Sequence, residues 1–122
     1  MKNFILAFVL FSICSMPSHA QYGEACGFIG APPPLREEVE LLISENKQWI
    51  LAGWLYSNDT QKQVYAAEAL IRLQHSGLEL TDHQIHTIGE LKNSDMEVFT
   101  CMGCSFYKET MKTALYKFQL KE

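Results

Sequence analysis

Clusters of basic residues and long apolar runs are both scarce in this chain of 122 residues, which has ten Lys and Arg against fourteen Asp and Glu. A partner with a phosphate backbone would require clustered Lys and Arg, so we expect no nucleic-acid partner. No Ser-His-Asp set, glycine-rich phosphate loop or calcium-binding loop can be assembled from the sequence. These absences favour a binding protein over an enzyme.

The one long apolar run lies at the N-terminus and has the composition of an export signal. Lys2 precedes the apolar stretch FILAFVLFSIC (4–14), and Ser18 and Ala20 occupy the two positions that a signal peptidase reads. The run is shorter than the ~20 apolar residues of a membrane span. We therefore expect residues 1–20 to be a signal peptide, with a periplasmic or secreted product that has no membrane span. A lipidated Cys14 is the competing interpretation, although the residue before it is not small.

Cleavage after residue 20 leaves 102 of the 122 residues, the size of one small domain. The loss of Lys2 leaves nine basic and fourteen acidic side chains, which is a net charge of −5. Residues 21–34, QYGEACGFIGAPPP, are rich in glycine and proline and predict an irregular arm. Residues 35–122 are then expected to form a single α-helical domain.

Apolar residues at helical spacing recur along this domain and predict an all-α fold of antiparallel helical hairpins, with no alternating pattern typical of strands. The first helix should begin at Pro34, where a missing N–H costs nothing, and should end near Ser44. Three more helices are expected over 49–56 (WILAGWLY), 60–76 and 81–92.

Capping residues mark the ends of the later helices. Gly77 stands where a left-handed C-terminal cap is needed, and Thr81 with Gln84 forms a capping box. Ser94 and Glu97 repeat that box, which predicts another helix immediately after it. The stripe that predicts a final amphipathic helix consists of Tyr107, Met111, Ala114, Leu115 and Phe118.

Two segments resemble each other at an offset of 34 to 36 residues: GWLYSNDTQKQVYAAEAL (53–70) and GELKNSDMEVFTCMGC (89–104). LKNSDMEV resembles the turn between the helices of a HEAT-type repeat, and VYAAEALIRL resembles the second helix of such a repeat. The resemblance covers about residues 49–115 and implies a small right-handed stack of helical hairpins. It places Cys101 and Cys104 on the buried stripe of a helix.

Three cysteines remain after cleavage, Cys26, Cys101 and Cys104, and thiols outside the cytoplasm tend to pair. One disulfide and one free thiol is the simplest arrangement. A bridge from Cys26 to Cys101 or Cys104 would tie the arm to the domain by closing a loop of roughly 75 residues, worth about 4 kcal/mol. We favour this long link, while the sequence leaves open which of the two cysteines Cys26 joins. A bridge between Cys101 and Cys104 is the alternative.

The CMGC motif also permits thiol–disulfide exchange, which is the alternative function. Its predicted place two turns into a helix removes most of the dipole effect that stabilises a reactive thiolate. Ser105 stands where attachment of a c-type haem needs a histidine, and no second pair of ligands has the spacing of a zinc site. No cofactor and no metal ion are therefore expected.

Trp49, Trp54 and Tyr56 are the candidate contact residues, because aromatic side chains are favoured at the centres of protein interfaces. His83 and His86 share a polar helix face, which is ordinary for exposed histidines. The sequence thus predicts an exported acidic protein that binds another protein, either as an inhibitor or immunity-type protein or within an envelope assembly. Complementary charge would speed its association with a basic target.

Overall fold

The structure is a computed structural model that describes residues 21–27 and 30–122. The predicted signal peptide and Cys14 lie outside the described residues. The elements in the described part of the chain are α1 (Pro34–Ser44), α2 (Gln48–Trp54), α3 (Thr60–His75), α4 (Asp82–Lys92), β1 (Glu97–Met102), β2 (Ser105–Thr110) and α5 (Met111–Ala114). None of these helices is long and apolar enough to cross a membrane.

The helices predicted between residues 34 and 92 are confirmed, together with their end signals. Pro34 is the first residue of α1. The Asp59 side chain caps α3 by accepting a hydrogen bond from the Gln61 N–H at 2.9 Å. The predicted capping box opens α4, and Gly77 has a φ of 112° just past the end of α3. Local signals therefore specify this half of the fold.

The central element is α3, against which α1, α2, α4 and β1 all pack. Ala66, Ala67 and Ala69 are buried along α3, and because their side chains are small, the neighbouring elements can pack close to its backbone. The largest fully buried hydrophobic side chains on α3 and around it are Leu51, Leu55, Tyr65, Leu70, Ile71, Ile88, Met111 and Leu115. Their burial removes apolar surface from water, which is the main driving force for this fold.

The prediction of an all-α fold is wrong, because residues 97–110 form an antiparallel β-hairpin. Met102 pairs with Ser105, which leaves a two-residue turn whose first residue, Gly103, has a φ of 57°. Glycine at that position is typical of a type II′ turn, whose twist matches that of the strands it joins. The segments VFT and FY beside the turn consist of β-branched and aromatic residues, which favour strands. The fold is therefore mixed α/β.

The capping box predicted after α4 and the final long helix are also wrong. The Ser94 side chain accepts a hydrogen bond from the Met96 N–H at 3.1 Å and so forms a turn into β1. Tyr107 belongs to β2, and only Met111–Ala114 is helical in the last segment. A hairpin thus replaces the second helix of the second repeat, so the HEAT-like stack and the helical position of the CMGC motif are wrong as well.

The arm, which was predicted to be irregular, runs beside the hairpin and forms two isolated parallel bridges, one from Tyr22 to Thr100 in β1 and one from Cys26 to Gly103 in the turn. The Tyr22 N–H donates to the Phe99 carbonyl at 2.7 Å, and the Cys101 N–H donates to the Tyr22 carbonyl at 3.0 Å. Three residues further along the arm, the Ala25 carbonyl accepts a hydrogen bond from the Gly103 N–H at 3.0 Å. β1 is therefore central, with the arm on one edge and β2 on the other.

Candidate functional site

A cleft of about 550 Å³ opens between the arm, the hairpin and α5. The arm contributes residues 22–25. The side chains that line the other two walls are Thr100, Met102, Tyr107 and Glu109 from the hairpin and Thr113, Tyr116 and Lys117 from α5 and the residues after it. The hairpin residues share one face because they alternate along their strands and Thr100 pairs with Tyr107.

The floor of the cleft contains a buried ion pair between α1 and α3. The side chains of Arg36 and Glu68 are 7% and 3% exposed. Arg36 donates from Nη2 to Glu68 Oε1 at 3.0 Å and from Nη1 to Glu68 Oε2. The Tyr22 hydroxyl donates to Glu68 Oε1 at 2.7 Å. Buried charges are tolerated when they are paired and hydrogen-bonded in this way, so the charged groups of the floor have the partners that burial requires.

Arg36 also holds the arm in place. Its Nε donates to the Gly23 carbonyl at 3.0 Å, and its guanidinium carbon lies 4.9 Å from the ring centre of Tyr65 and 5.7 Å from that of Tyr22. A guanidinium at such distances from aromatic faces is attracted by their quadrupoles. One cation thereby joins α1, α3 and the arm.

The two tyrosines below the cleft are perturbed by their surroundings. Burial raises the pKa of the Tyr65 phenol to about 12. Burial, and then the negative charge of Glu68, raise the pKa of Tyr22 well above its usual range. Burial lowers the pKa of Arg36, but the hydrogen bonds to Glu68 and the negative charge of Glu68 together raise it, so the pKa of Arg36 lies above its usual range. The arginine is therefore charged and both phenols are neutral across the physiological range.

A disulfide between Cys26 and Cys101 attaches the arm to the hairpin beside the cleft. The two Cα atoms are 5.5 Å apart, 75 residues separate them in the chain, and the cysteines are 6% and 3% exposed. A Cβ atom on Gly23 would lie 2.5 Å from the Cys101 carbonyl oxygen, so only glycine allows this close approach. The bridge is the favoured long link. Among the described residues no cysteine is free, in contrast to the expected spare thiol.

Exposed hydrophobic side chains border this cleft. Of the nine large hydrophobic side chains that are exposed in the described residues, three line it. At the rim of the cleft, Met102 is 71% exposed, Tyr107 is 43% exposed and Tyr116 is 77% exposed. We call these three residues the rim. They form an apolar border around a polar floor.

The contact residues predicted from the sequence lie elsewhere, and none of them lines the cleft. Trp49 is 73% exposed on α2. Trp54 is half-buried, with Lys62 Nζ 5.3 Å from the centre of its ring. The Tyr56 ring stacks on His83 at 5.3 Å. The structure therefore gives these three aromatic residues separate surroundings.

Tyr56 and His83 also line a second cavity of about 450 Å³, together with His86 and Glu90. His86 Nε2 lies 2.6 Å from Glu90 Oε1 on the exposed face of α4. Across the described part of the chain, no three His, Cys, Asp or Glu side chains come together in a group that could hold a metal ion.

Neither the rim nor the buried ion pair was predicted from the sequence. Gly103 between two segments of strand-forming residues was the available signal, because a two-residue turn there places Met102 and Tyr107 on one face. The contact between Arg36 and Glu68 had no local signal. No family model, no curated protein and no solved structure matches this chain. Function is therefore inferred from the cleft and from the composition of the chain.

Proposed function

We propose that this chain is an exported protein that binds another protein, and that the cleft and its rim are the contact surface. The observation that carries the proposal is the concentration of exposed hydrophobic side chains at the rim: Met102, Tyr107 and Tyr116. Exposed apolar patches bordered by polar groups are typical of interaction sites. Tyrosine and methionine are enriched at such interfaces.

The arm side of the cleft is held by a disulfide and a hydrogen bond, which lowers the cost of binding. The arm is fixed by the Cys26–Cys101 bridge and by the hydrogen bond from Arg36 to Gly23. A surface that is ordered before binding loses little conformational entropy when a partner arrives. This supports recognition by a preformed surface.

The outer edge of β2 supports a polypeptide as the partner. The Phe99 carbonyl and the Cys101 N–H face the arm, so the backbone groups of their cross-strand neighbours, Lys108 and Phe106, face the opposite edge. An extended segment of a partner can add to such an edge by main-chain hydrogen bonds. Lys108 in the middle of this strand opposes pairing between two copies of the same strand, which favours a different protein as partner.

The charge of the chain supports a basic target. The predicted mature chain has five more acidic than basic side chains, and complementary charge raises association rates between proteins. A structural disulfide fits an oxidising compartment outside the cytoplasm. Together these features favour an inhibitor or immunity-type protein, or a component of an envelope assembly, in the periplasm or outside the cell.

Capture from the envelope fraction of the producing cell tests this proposal. The immobilised mature protein should retain a partner, and Tyr116→Ala should reduce the retained amount at least about tenfold, as expected for an interface hot spot. Trp49→Ala is the matched control, because Trp49 and Tyr116 are 73% and 77% exposed aromatic residues on different surfaces. Retention that depends on Trp49 and not on Tyr116 would move the contact surface to α2. Retention of no protein at all would contradict a binding function.

Thiol–disulfide exchange at the CMGC motif is the second candidate, and it has a test of its own. Cys101 is buried and bonded to Cys26, which weighs against rapid exchange because a reactive cysteine is usually accessible. Under the binding proposal, a small dithiol reduces the bridge much more slowly in the folded protein than in denaturant. Equally rapid reduction in both conditions would favour the redox function instead.

A further inference from the structure

We infer that Gln21 becomes the first residue of the mature protein and cyclises to pyroglutamate. The inference rests on the export part of the proposed function, because Gln21 acquires an α-amine only when the chain is cleaved after Ala20. An α-amine ordinarily has a pKa of about 7.7–8.0. An appreciable share of it is therefore uncharged, and so nucleophilic, near neutral pH.

Ring closure needs only the atoms of Gln21 itself. The α-amine nitrogen attacks the side-chain amide carbon Cδ, and a new C–N bond forms as the bond from Cδ to Nε2 breaks. Nε2 leaves as ammonia and takes up the proton that the amine loses. The reaction consumes no oxidant, reductant or second substrate. The product is a five-membered lactam with an uncharged nitrogen.

The surroundings of the Gln21 side chain do not oppose this reaction. Gln21 is half-buried, and its side-chain oxygen Oε1 is buried without a hydrogen-bond partner in the part of the chain that the structure describes. A buried polar atom without a partner is unfavourable. The side-chain oxygen can therefore move back towards its own main-chain nitrogen without breaking a hydrogen bond.

The hydrogen bonds that fix the start of the arm survive ring closure. The Tyr65 hydroxyl donates to the Gln21 main-chain carbonyl, which stays outside the new ring. The next residue, Tyr22, keeps its N–H bond to the Phe99 carbonyl at 2.7 Å. The amine is the only main-chain group that the reaction consumes, so the cyclised residue fits the observed arm.

Loss of the amine also removes the positive charge of the N-terminus, at the end of the arm that Tyr65 and Arg36 hold in place. The same Tyr65 that contacts Gln21 has the Arg36 guanidinium carbon 4.9 Å from the centre of its ring. Glu68, which neutralises Arg36, already accepts the Tyr22 hydroxyl. Cyclisation thus neutralises the N-terminus and removes the group that aminopeptidases recognise.

The intact mass and N-terminal sequencing of the mature protein, purified from the envelope or secreted fraction, test the inference. The expected mass is that of the disulfide-bonded chain from Gln21 less one molecule of ammonia, with sequencing blocked at the first residue. A first residue Gln21 with an intact amine would overturn cyclisation and leave export and partner binding standing. A different first residue would overturn the inference together with the predicted cleavage site.

The Gln21→Ala variant is the control, because its side chain has no amide and cannot form the ring. Its mass should show no loss of ammonia and its N-terminus should be open to sequencing. Loss of ammonia from this variant as well would show that the mass change does not arise at Gln21 and would overturn the inference.

Discussion

Arg36 and Glu68 lie 32 residues apart in the sequence and meet in the interior as an ion pair joined by two hydrogen bonds. Arg36 also bonds the arm at Gly23, and Glu68 also accepts the hydroxyl of Tyr22. The pair thus joins α1, α3 and the arm below the cleft. Removal of one partner leaves the other charge buried without compensation, which is far more costly than loss of a surface pair.

Glu68→Gln should lower the free energy of unfolding by about 3 kcal/mol, since it leaves the buried Arg36 with only the half-exposed Glu40, 3.7 Å away, as a counter-charge. Glu45→Gln is the control, because Glu45 pairs with Lys47 at 3.0 Å but its side chain is 43% exposed and the pair does not contact Arg36 or Glu68. Surface pairs of that kind contribute about 1 kcal/mol or less. Urea denaturation of both variants measures the difference, and equal losses would contradict the structural role given to the buried pair.

Loss of the Cys26–Cys101 bridge should lower the free energy of unfolding by about 4 kcal/mol, because a link across 75 residues restricts the unfolded chain. The test variant changes both Cys26 and Cys101 to alanine, so that neither cysteine of this bridge is left as a free thiol. Urea denaturation gives the loss, and mapping of linked peptides by mass spectrometry checks the pairing in the natural protein. A loss below about 1 kcal/mol would show that the arm is held mainly by its hydrogen bonds.

Gly103→Ala should lower the free energy of unfolding by about 1 kcal/mol, because Gly103 has a φ of 57° in the turn and a Cβ atom strains that conformation. Gly89→Ala is the matched control. Gly89 lies inside α4, its φ is not positive, and a Cβ atom there would meet nothing within 4 Å. That change should be neutral or stabilising by up to about 1 kcal/mol. A larger loss of unfolding free energy for Gly89→Ala than for Gly103→Ala would contradict the hairpin.

The hairpin over residues 97–110 is the part of the fold that was predicted wrongly from the sequence. The helices between residues 34 and 92 carry their own signals, such as Pro34 at a helix start and the capping box of Thr81 and Gln84. The hairpin depends on contacts from outside its own segment: the arm pairs along β1, and a disulfide attaches it there. Ser94 with Glu97 has the pattern of a helix cap, and that local pattern was overridden by tertiary pairing.

The candidate site was less predictable than the fold, for a related reason. Cysteine count and the expected compartment favoured a bridge from Cys26 to the CMGC motif, with a Cys101–Cys104 bridge as the alternative, and the structure joins Cys26 to Cys101. The rim could not be located without the hairpin, since Met102 and Tyr116 come together only when residues 97–110 turn back. Trp49 was predicted to be a contact residue because it is aromatic, but the sequence alone does not tell which exposed aromatic residue borders a cleft.

Alkaline stability should reflect the two buried phenols. The folded pKa of Tyr65 is raised to about 12 and that of Tyr22 is raised further, while an unfolded tyrosine titrates near pH 10. Because the folded pKa values lie above the unfolded one, this contribution is complete below about pH 10 and is lost as the pH rises towards about 12.

The free energy of unfolding, measured at intervals above pH 9, should therefore fall more steeply for the natural protein than for Tyr65→Phe, which has one titrating phenol fewer in the interior. Tyr116→Phe is the control, since that side chain is 77% exposed, and it should follow the natural protein. A natural protein that keeps its stability unchanged to about pH 12 would contradict the buried position of the phenols.

Site-specific cross-linking tests the proposed contact surface most directly. A photo-activated amino acid is placed at position 116 in one variant and at position 49 in another, and each is irradiated in living cells that export the protein. The proposal predicts that position 116 forms a covalent adduct with one defined protein, and that position 49 does not. An adduct from position 49 and none from position 116, or no adduct from either position, would contradict it.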